Sequence, residues 1–404
     1  MSEAAHAPAT SHAQPLAGVR IIAIEQYGAG PFATQHLADL GAEVIKIENP
    51  HDGGDVGRAV GPHFFGAGDS HFYQSFNRNK KSITLDLKQP PGQEVLHRLA
   101  AQADAVFNNL RGDLPARLGL TYDALSGVNP ALVCGHLSAY GRTGSRAAWP
   151  GYDYLMQAEA GYLALTGEPD GAPARMGLSM VDLMTGTAAA MGMLAAILAA
   201  RATGVGRDVD VSLFDVALHN LAYVGTWYLN GAPATRREKR SAHPSITPCQ
   251  LYKTRDGWIF LMCNKEKFWQ LLCEVLGRAE WRDLPEYATM AQRLLHRDRL
   301  TAALDDVLGQ DSTANWMSRL AGKVPAAPVY DVAQALDNAF VAEQGRVLEF
   351  AHANGPIRMV ASPVRAGPHP VRAAPALGAD TDEVLREAGF APDQVAALRG
   401  EGVI

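Results

Sequence analysis

Val19–Glu48 reads VRIIAIEQYGAGPFATQHLADLGAEVIKIE. Its opening run, Val19–Glu25, is short, apolar and β-branched, which predicts a buried strand. Gly28-Ala29-Gly30-Pro31 then makes a turn, with Pro31 suited to the first turn of a helix. Phe32–Leu40 is helical in pattern, Gly41 closes it, and Glu43–Glu48 (EVIKIE) is the next strand. Two parallel strands need a helical crossover, and this stretch supplies one.

The rhythm continues outward. Strands are predicted at Ser82–Leu87, Ala105–Asn108, Ala131–Leu137 and Asp208–Leu213. Helices are predicted at Gly92–Ala103, Tyr122–Leu125, Gly151–Leu163, Asp182–Ala202 and Asp215–Leu229. Repeated βα units define an α/β fold: an open, parallel, Rossmann-like sheet with helices on both faces. The pattern changes after Gly231–Pro248 (GAPATRREKRSAHPSITP), a linker rich in Pro, Ser and charge. Gln250–Thr254 and Trp258–Met262 flank an Asp256-Gly257 turn, a hairpin signal, and amphipathic helices follow. The expected organisation is a disordered tail over residues 1–15 and a large α/β domain over 16–230. A linker at 231–248, a smaller α+β domain at 249–328 and a return to the large domain over 329–404 complete it.

The chain has 404 residues, 47% of them hydrophobic, enough for a large core. A net charge of −6 gives no general attraction to nucleic acid or anionic membranes, so neither is expected as a partner. Four cysteines without CxxC spacing point to reduced thiols and a cytoplasmic setting. The N-terminus has no apolar core of a secretory signal. Leu183–Ala200 is uncharged and reaches transmembrane length, but it is mostly Ala, Gly, Thr and Met inside an α/β pattern. It reads as a buried core helix.

Asp182 opens that helix. A carboxylate there is either a helix N-cap or a nucleophile held at a dry boundary. The turn Gly28–Pro31 lacks the third glycine of a dinucleotide fingerprint, which argues against NAD and an oxidoreductase. It still places a helix N-terminus at the ligand edge of an open sheet. Asn77–Lys81 (NRNKK), Lys88, Asn109, Arg111 and Arg117 are candidates for a phosphate-binding patch in an otherwise acidic protein. No metal-ligand spacing and no G-x-S-x-G elbow is present, so no metal site is expected.

Several blocks in one order carry a resemblance. They are LAGVRIIAIEQYGAGPFATQHLADLGAEVIKIE, NRNKKSITLDLK, GLTYDAL…NPALV…SAYG, TGEPDG, the Asp182 segment and the closing LGADTDEVLREAGF. Together they resemble the class III CoA-transferases, the family of formyl-CoA:oxalate and carnitine CoA-transferases, from Leu16 onward. The resemblance implies a CoA thioester as substrate, a carboxylic acid as acceptor and no permanently bound cofactor. It places the family's nucleophilic aspartate on Asp182, which attacks the acyl-CoA carbonyl to give an aspartyl anhydride and then an aspartyl-CoA thioester. An unperturbed Asp is ionised at neutral pH and needs no general base. The resemblance also implies CoA contacts for Tyr27, Ala29, Lys88, Asn109 and Arg117, and supporting active-site roles for Gln26 and Tyr152. A family arginine that meets the nucleotide falls on Asn49. Family members are homodimers in which each chain threads through the other, so an interlocked homodimer is expected.

The same fold serves 2-methylacyl-CoA racemases, which carry a histidine in a GHD motif. Here the motif is Gly151-Tyr152-Asp153, and a tyrosine with pKa near ~10 is a poor base. This favours transfer over racemisation, and the presence of Asp182 disfavours a non-catalytic CoA-binding homologue. The family's glycine-rich loop for oxalate has no counterpart, since Ser241–Pro248 stands in that region. The basic run Arg236, Arg237, Lys239 and Arg240, with His243 beyond it, is either a solvated linker or an anchor for a second carboxylate.

Overall fold

The computed structural model describes residues 14–367 and 371–404. Of the expected tail, residues 1–13 lie outside them. The chain forms two compact units. The larger takes the chain up to Ala160, Gly177–Leu221 and Gly345–Ile404; the smaller takes Gly161–Met176 and Ala222–Gln344.

The larger unit is built on a parallel sheet. Its strands are β1 (Arg20–Ile24), β2 (Glu43–Glu48), β3 (Lys81–Thr84), β4 (Ala105–Asn108), β5 (Val133–Ser138) and β6 (Arg207–Ser212). They lie in the order β3-β2-β1-β4-β5-β6, the doubly wound arrangement of a Rossmann-like sheet. The order reverses between β1 and β4, where Ile21 pairs with Ala105 and Ile24 with Asn108. Crevices for ligands open at the carboxyl ends of strands at such a reversal.

Strands buried on both faces read as continuous apolar runs, which is why VRIIAI was legible. One face carries Ile22, Ile45, Ile83 and Val106 into a core shared with Val384, Leu385 and Leu398 of the C-terminal helices. The segment that returns after the smaller unit therefore closes that side of the sheet. On the other side lie α1 (Ala29–Asp39) and the long helix α2 (Met180–Thr203), packed on each other. Gly186 permits the contact: a Cβ there would come within 2.7 Å of the Ala29 carbonyl oxygen. By length and composition α2 could cross a membrane. Val181, Ala189, Met193 and Ile197 on one face are buried in the protein, while Met191 and Leu198 point outward, 69% and 70% exposed.

The smaller unit holds an antiparallel sheet of Cys249–Lys253, Trp258–Met262 and Ala326–Pro328. The expected hairpin forms, but its register sets Trp258 opposite Lys253, so Asp256 and Gly257 belong to a four-residue loop rather than a two-residue turn. Tyr252, Leu261, Trp269 and Trp316 form its core.

Two predicted helices are broken. Gly161, at φ +87°, divides Gly151–Leu163 into Asp153–Glu159 and Tyr162–Leu165. Asp215–Leu229 is divided into Leu213–His219 and Ala222–Leu229, with Ala222 at φ +46°. In both places the chain passes from one unit to the other.

Candidate active site

At the reversal point the ends of β1 and β4 are latched. The Gln26 N–H donates to Asn109 Oδ1 at 2.9 Å, and Asn109 Nδ2 donates to the Gln26 carbonyl at 2.7 Å. A cavity of about 230 Å³ opens beside this latch. Gln26, Tyr27, Ala29, Asn109, Tyr152 and Asp182 all line it. Six of the eight predicted site residues thus come together, from four separate stretches of chain.

Asp182 is the acid of this cavity. It is not an N-cap: α2 begins at Met180, with Ser179 as the capping position, and Asp182 lies within the first turn. That turn has free backbone N–H groups. The one at Asp182 is satisfied from a distance, by Asp153 Oδ2 at 3.0 Å. Asp153 begins the helix Asp153–Glu159 and is itself held by Gln157 Nε2, 2.6 Å from Oδ1. Two buried carboxylates therefore share the mouth of one helix, and Asp182 is only 7% exposed. Burial, and secondly the charge of Asp153, push the Asp182 carboxyl up to about 7. The helix dipole favours the anion, but desolvation and like charge win. The expectation of a fully ionised aspartate at neutral pH is corrected: near pH 7 the free group is partly protonated.

Opposite Asp182 stands the turn after β1. A Cβ on Gly28 would lie 3.1 Å from Asp182 Oδ2, so the backbone itself faces the carboxylate. Tyr27 precedes it at φ +68°, a conformation that costs a bulky residue about 1–3 kcal/mol. Its N–H donates to Asp55 Oδ1 at 2.8 Å. Its ring packs on Phe72 and meets Tyr152 edge-on.

A second cavity, of about 320 Å³, lies at the ends of β2 and β3. Lys88 and Asn49 line it, and it shares Gln26, Leu110 and Leu114 with the first. Arg117 lines neither: its side chain is 69% exposed and lies 3.4 Å from Asp113.

The NRNKK block is not a phosphate patch. Arg78 is paired with Asp39, and Asn79 donates to Asp39 as well. Lys80 is fully buried on Glu25 (2.7 Å) and the Pro31 carbonyl (2.9 Å), and Lys81 bonds Glu43 and Glu383. These cations hold the fold around the turn. Sequence reasoning also missed Asp153, Asp55 and Lys46. The available signal was charge inside strands: Lys46 and Glu48 interrupt β2, and Glu25 ends the first apolar run.

In the smaller unit, Arg237 donates to the Ala172 carbonyl and Arg240 pairs with Asp305. His243 lies against Tyr223.

The fold and the site define an α/β protein with a buried carboxyl of raised pKa at the ligand edge of its sheet. The family model of CoA-transferase family III matches residues 16–381. The chain is 34% identical over 393 residues to a succinate–glutarate CoA-transferase of Agrobacterium fabrum, covering 92% of this chain and 95% of that one. It is 34% identical over 388 residues to an acetyl-CoA:oxalate CoA-transferase of Acetobacter aceti, covering 94% and 97%. Its structure matches that of a CaiB/BaiF family protein from Brucella suis with a TM-score of 0.81 at 30% identity, covering 93% and 99%. The chain belongs to CoA-transferase family III. Its reaction is CoA transfer to a carboxylic acid.

Proposed function

We propose that the chain moves CoA from an acyl-CoA such as succinyl-CoA to a C4–C5 dicarboxylate, with Asp182 as the nucleophile. An Asp182 oxygen attacks the thioester carbonyl and the C–S bond breaks, giving a mixed anhydride and CoA thiolate. The thiolate attacks the aspartyl carbonyl and the donor acid leaves as its carboxylate. The acceptor carboxylate then displaces the thiolate from the aspartyl-CoA thioester. The thiolate finally attacks the acceptor's carbonyl in this second anhydride, which frees the Asp182 carboxylate. No proton is gained or lost overall. The weak nucleophile is offset by proximity and by a dry cavity that protects the anhydride from hydrolysis.

The observation that carries the substrate class is Arg111. Among the residues lining the Asp182 cavity it is the single cation. Its guanidinium is held in a fork by Asp113, at 2.5 and 3.0 Å, so it is oriented while its other donors stay available. A dicarboxylate reacting at Asp182 through one end meets Arg111 with the other. The relatives named for succinate, glutarate and oxalate support an acid with two carboxylates. The CoA chain runs past Gln26 and Leu110, shared by both cavities, and its nucleotide lies near Lys88.

The test is acceptor competition with succinyl-CoA as donor. Succinate and glutarate should outcompete butyrate and valerate, and Arg111→Ala should erase that preference. Arg111 is partly exposed and screened by water, so its loss should raise the KM for the dicarboxylate only several-fold, with kcat changed less. If the preference survives in Arg111→Ala, Arg111 is not the anchor and this reading of the substrate class fails.

The working form is an interlocked homodimer in the cytoplasm. The outward Met191 and Leu198 on α2 suit a partner chain rather than water or lipid, and the four thiols are free and buried. Light scattering should give twice the chain mass of 43.2 kDa; a monomer would overturn this.

A further inference from the structure

Beneath the turn that faces Asp182 lies a buried ionic cluster with no direct part in the transfer steps. Asp55 is at its centre. One carboxylate oxygen, Oδ1, accepts the Tyr27 N–H at 2.8 Å and the Gly57 N–H at 2.7 Å. The other, Oδ2, is 2.7 Å from the Lys46 ammonium. Neither side chain is exposed. Lys46 also donates to the Glu25 carbonyl at 2.9 Å, and the Asp55 N–H donates to Glu48 Oε2 at 2.9 Å. On the far side of the turn Lys80 binds the Pro31 carbonyl and the Glu25 carboxylate.

This cluster holds a peptide that has little reason to stay. Tyr27 lies at φ +68°, where a bulky side chain is disfavoured and glycine is not. The left-handed turn of that residue is what brings Gly28 against Asp182 Oδ2 and stands the Tyr27 ring beside Tyr152. Strained backbone of this kind persists only where its surroundings over-determine it. Here the determinant is an anion on the strained N–H, itself fixed by a buried cation. We propose that Asp55 is a positioning residue for CoA transfer: through Tyr27 it sets the backbone wall that faces the nucleophile. The inference rests on Asp182 being that nucleophile.

A double-mutant cycle tests it, with substrates saturating and varied in turn. Asp55→Ala in the natural background should lower kcat by between about 10-fold and 100-fold, the scale of a misplaced reacting group. The KM for acyl-CoA should move less than about threefold, since remote CoA contacts are untouched. In a Tyr27→Gly background the turn reaches its conformation without help. There Asp55→Ala should cost less than about threefold in kcat relative to Tyr27→Gly alone. An equal loss in both backgrounds, or no loss in either, overturns the proposal, as does a loss carried by KM. If Asp55→Ala does not fold, the pair Asp55→Ala with Lys46→Met, which leaves no unpaired buried cation, is measured in the same two backgrounds under the same criterion. A merely structural role would lower the melting temperature and the activity together in both. Asp182→Asn, assayed alongside, decides the underlying assignment separately: retained transfer there removes the nucleophile, whatever the cycle shows.

Discussion

Asp182 and Glu48 are both buried carboxylates at the carboxyl-end edge of one sheet, and they are treated oppositely. Glu48 is surrounded by compensation. Burial alone would raise its pKa, but two bonds from Arg58, at 2.6 and 2.8 Å, the Lys46 charge and the Ser82 hydroxyl outweigh it and hold the group below the usual range. Asp182 is given no cation, and its near neighbour is a second carboxylate. The fold can neutralise a buried acid at this depth, and at Asp182 it does not. A buried charge left unpaired is costly, and such sites are where function is found.

The linkage signs are opposite too. Glu48, with a lowered folded pKa, contributes stability above its unfolded value and loses it as pH falls through the folded one. Asp182, with a raised folded pKa, stabilises below about 4, and that contribution is lost as pH rises through about 7. The largest expected effect follows from removing its charge. Asp182→Asn should lower transfer at least ~10³-fold, the scale of one strong transition-state group. A hydroxylamine-sensitive adduct on this residue should disappear with the activity. The same variant should be more stable than the natural protein at pH 8, by at most about 4 kcal/mol, and the gain should fade toward pH 4. Transfer near the natural rate would end the assignment; a lower melting temperature at pH 8 would end the account of its charge.

Breaking the compensated region should do the reverse. Arg58→Met strips Glu48 of its bidentate partner and also removes the cation stacked 3.8 Å from the Tyr73 ring centroid. Loss of one partner of a buried pair costs about 3–5 kcal/mol. Urea unfolding at pH 7 reads this directly, and an unchanged midpoint would mean the cluster is idle. Here the variant loses stability where Asp182→Asn gains it.

The difference between the two regions also separates what was legible in the sequence from what was not. VRIIAI reads as a strand because both faces of the sheet are covered and its apolar run is nearly unbroken, and EVIKIE because β-branched Val44, Ile45 and Ile47 mark it despite the charges of Lys46 and Glu48. Six site residues could be placed from one family pattern and the turn that carries Tyr27 and Ala29. The compensation could not. NRNKK looks the same whether its cations meet phosphate or are spent on Asp39, Glu25 and Glu383, because burial does not show in a run of charge. The true start of α2 was hidden for a related reason. Its free N–H is met by Asp153, 29 residues earlier, so no local capping motif marks it. Burial, and secondly the charge of the same Asp153, raised the pKa of Asp182, which composition alone sets at its ordinary value.

The smallest effect is the one that sharpens the comparison most, because it alters the uncompensated site without touching its acid. Attack needs the Asp182 anion, so kcat/KM should rise with pH through an apparent pKa near 7. Burial is the larger cause of that value and Asp153 the smaller. In Asp153→Asn the side-chain oxygen still accepts the Asp182 N–H, but the like charge is gone. The rising limb should therefore move to lower pH without returning to the ordinary carboxylate range. The variant should hold more of its maximal rate than the natural enzyme at pH 5.5, and match its shape above pH 8. A limb that stays in place would make burial the sole cause. A limb that moves upward would mean that Asp153 stabilises the anion through its hydrogen bond to the helix, and Asp182 would then be less abandoned than its neighbours suggest.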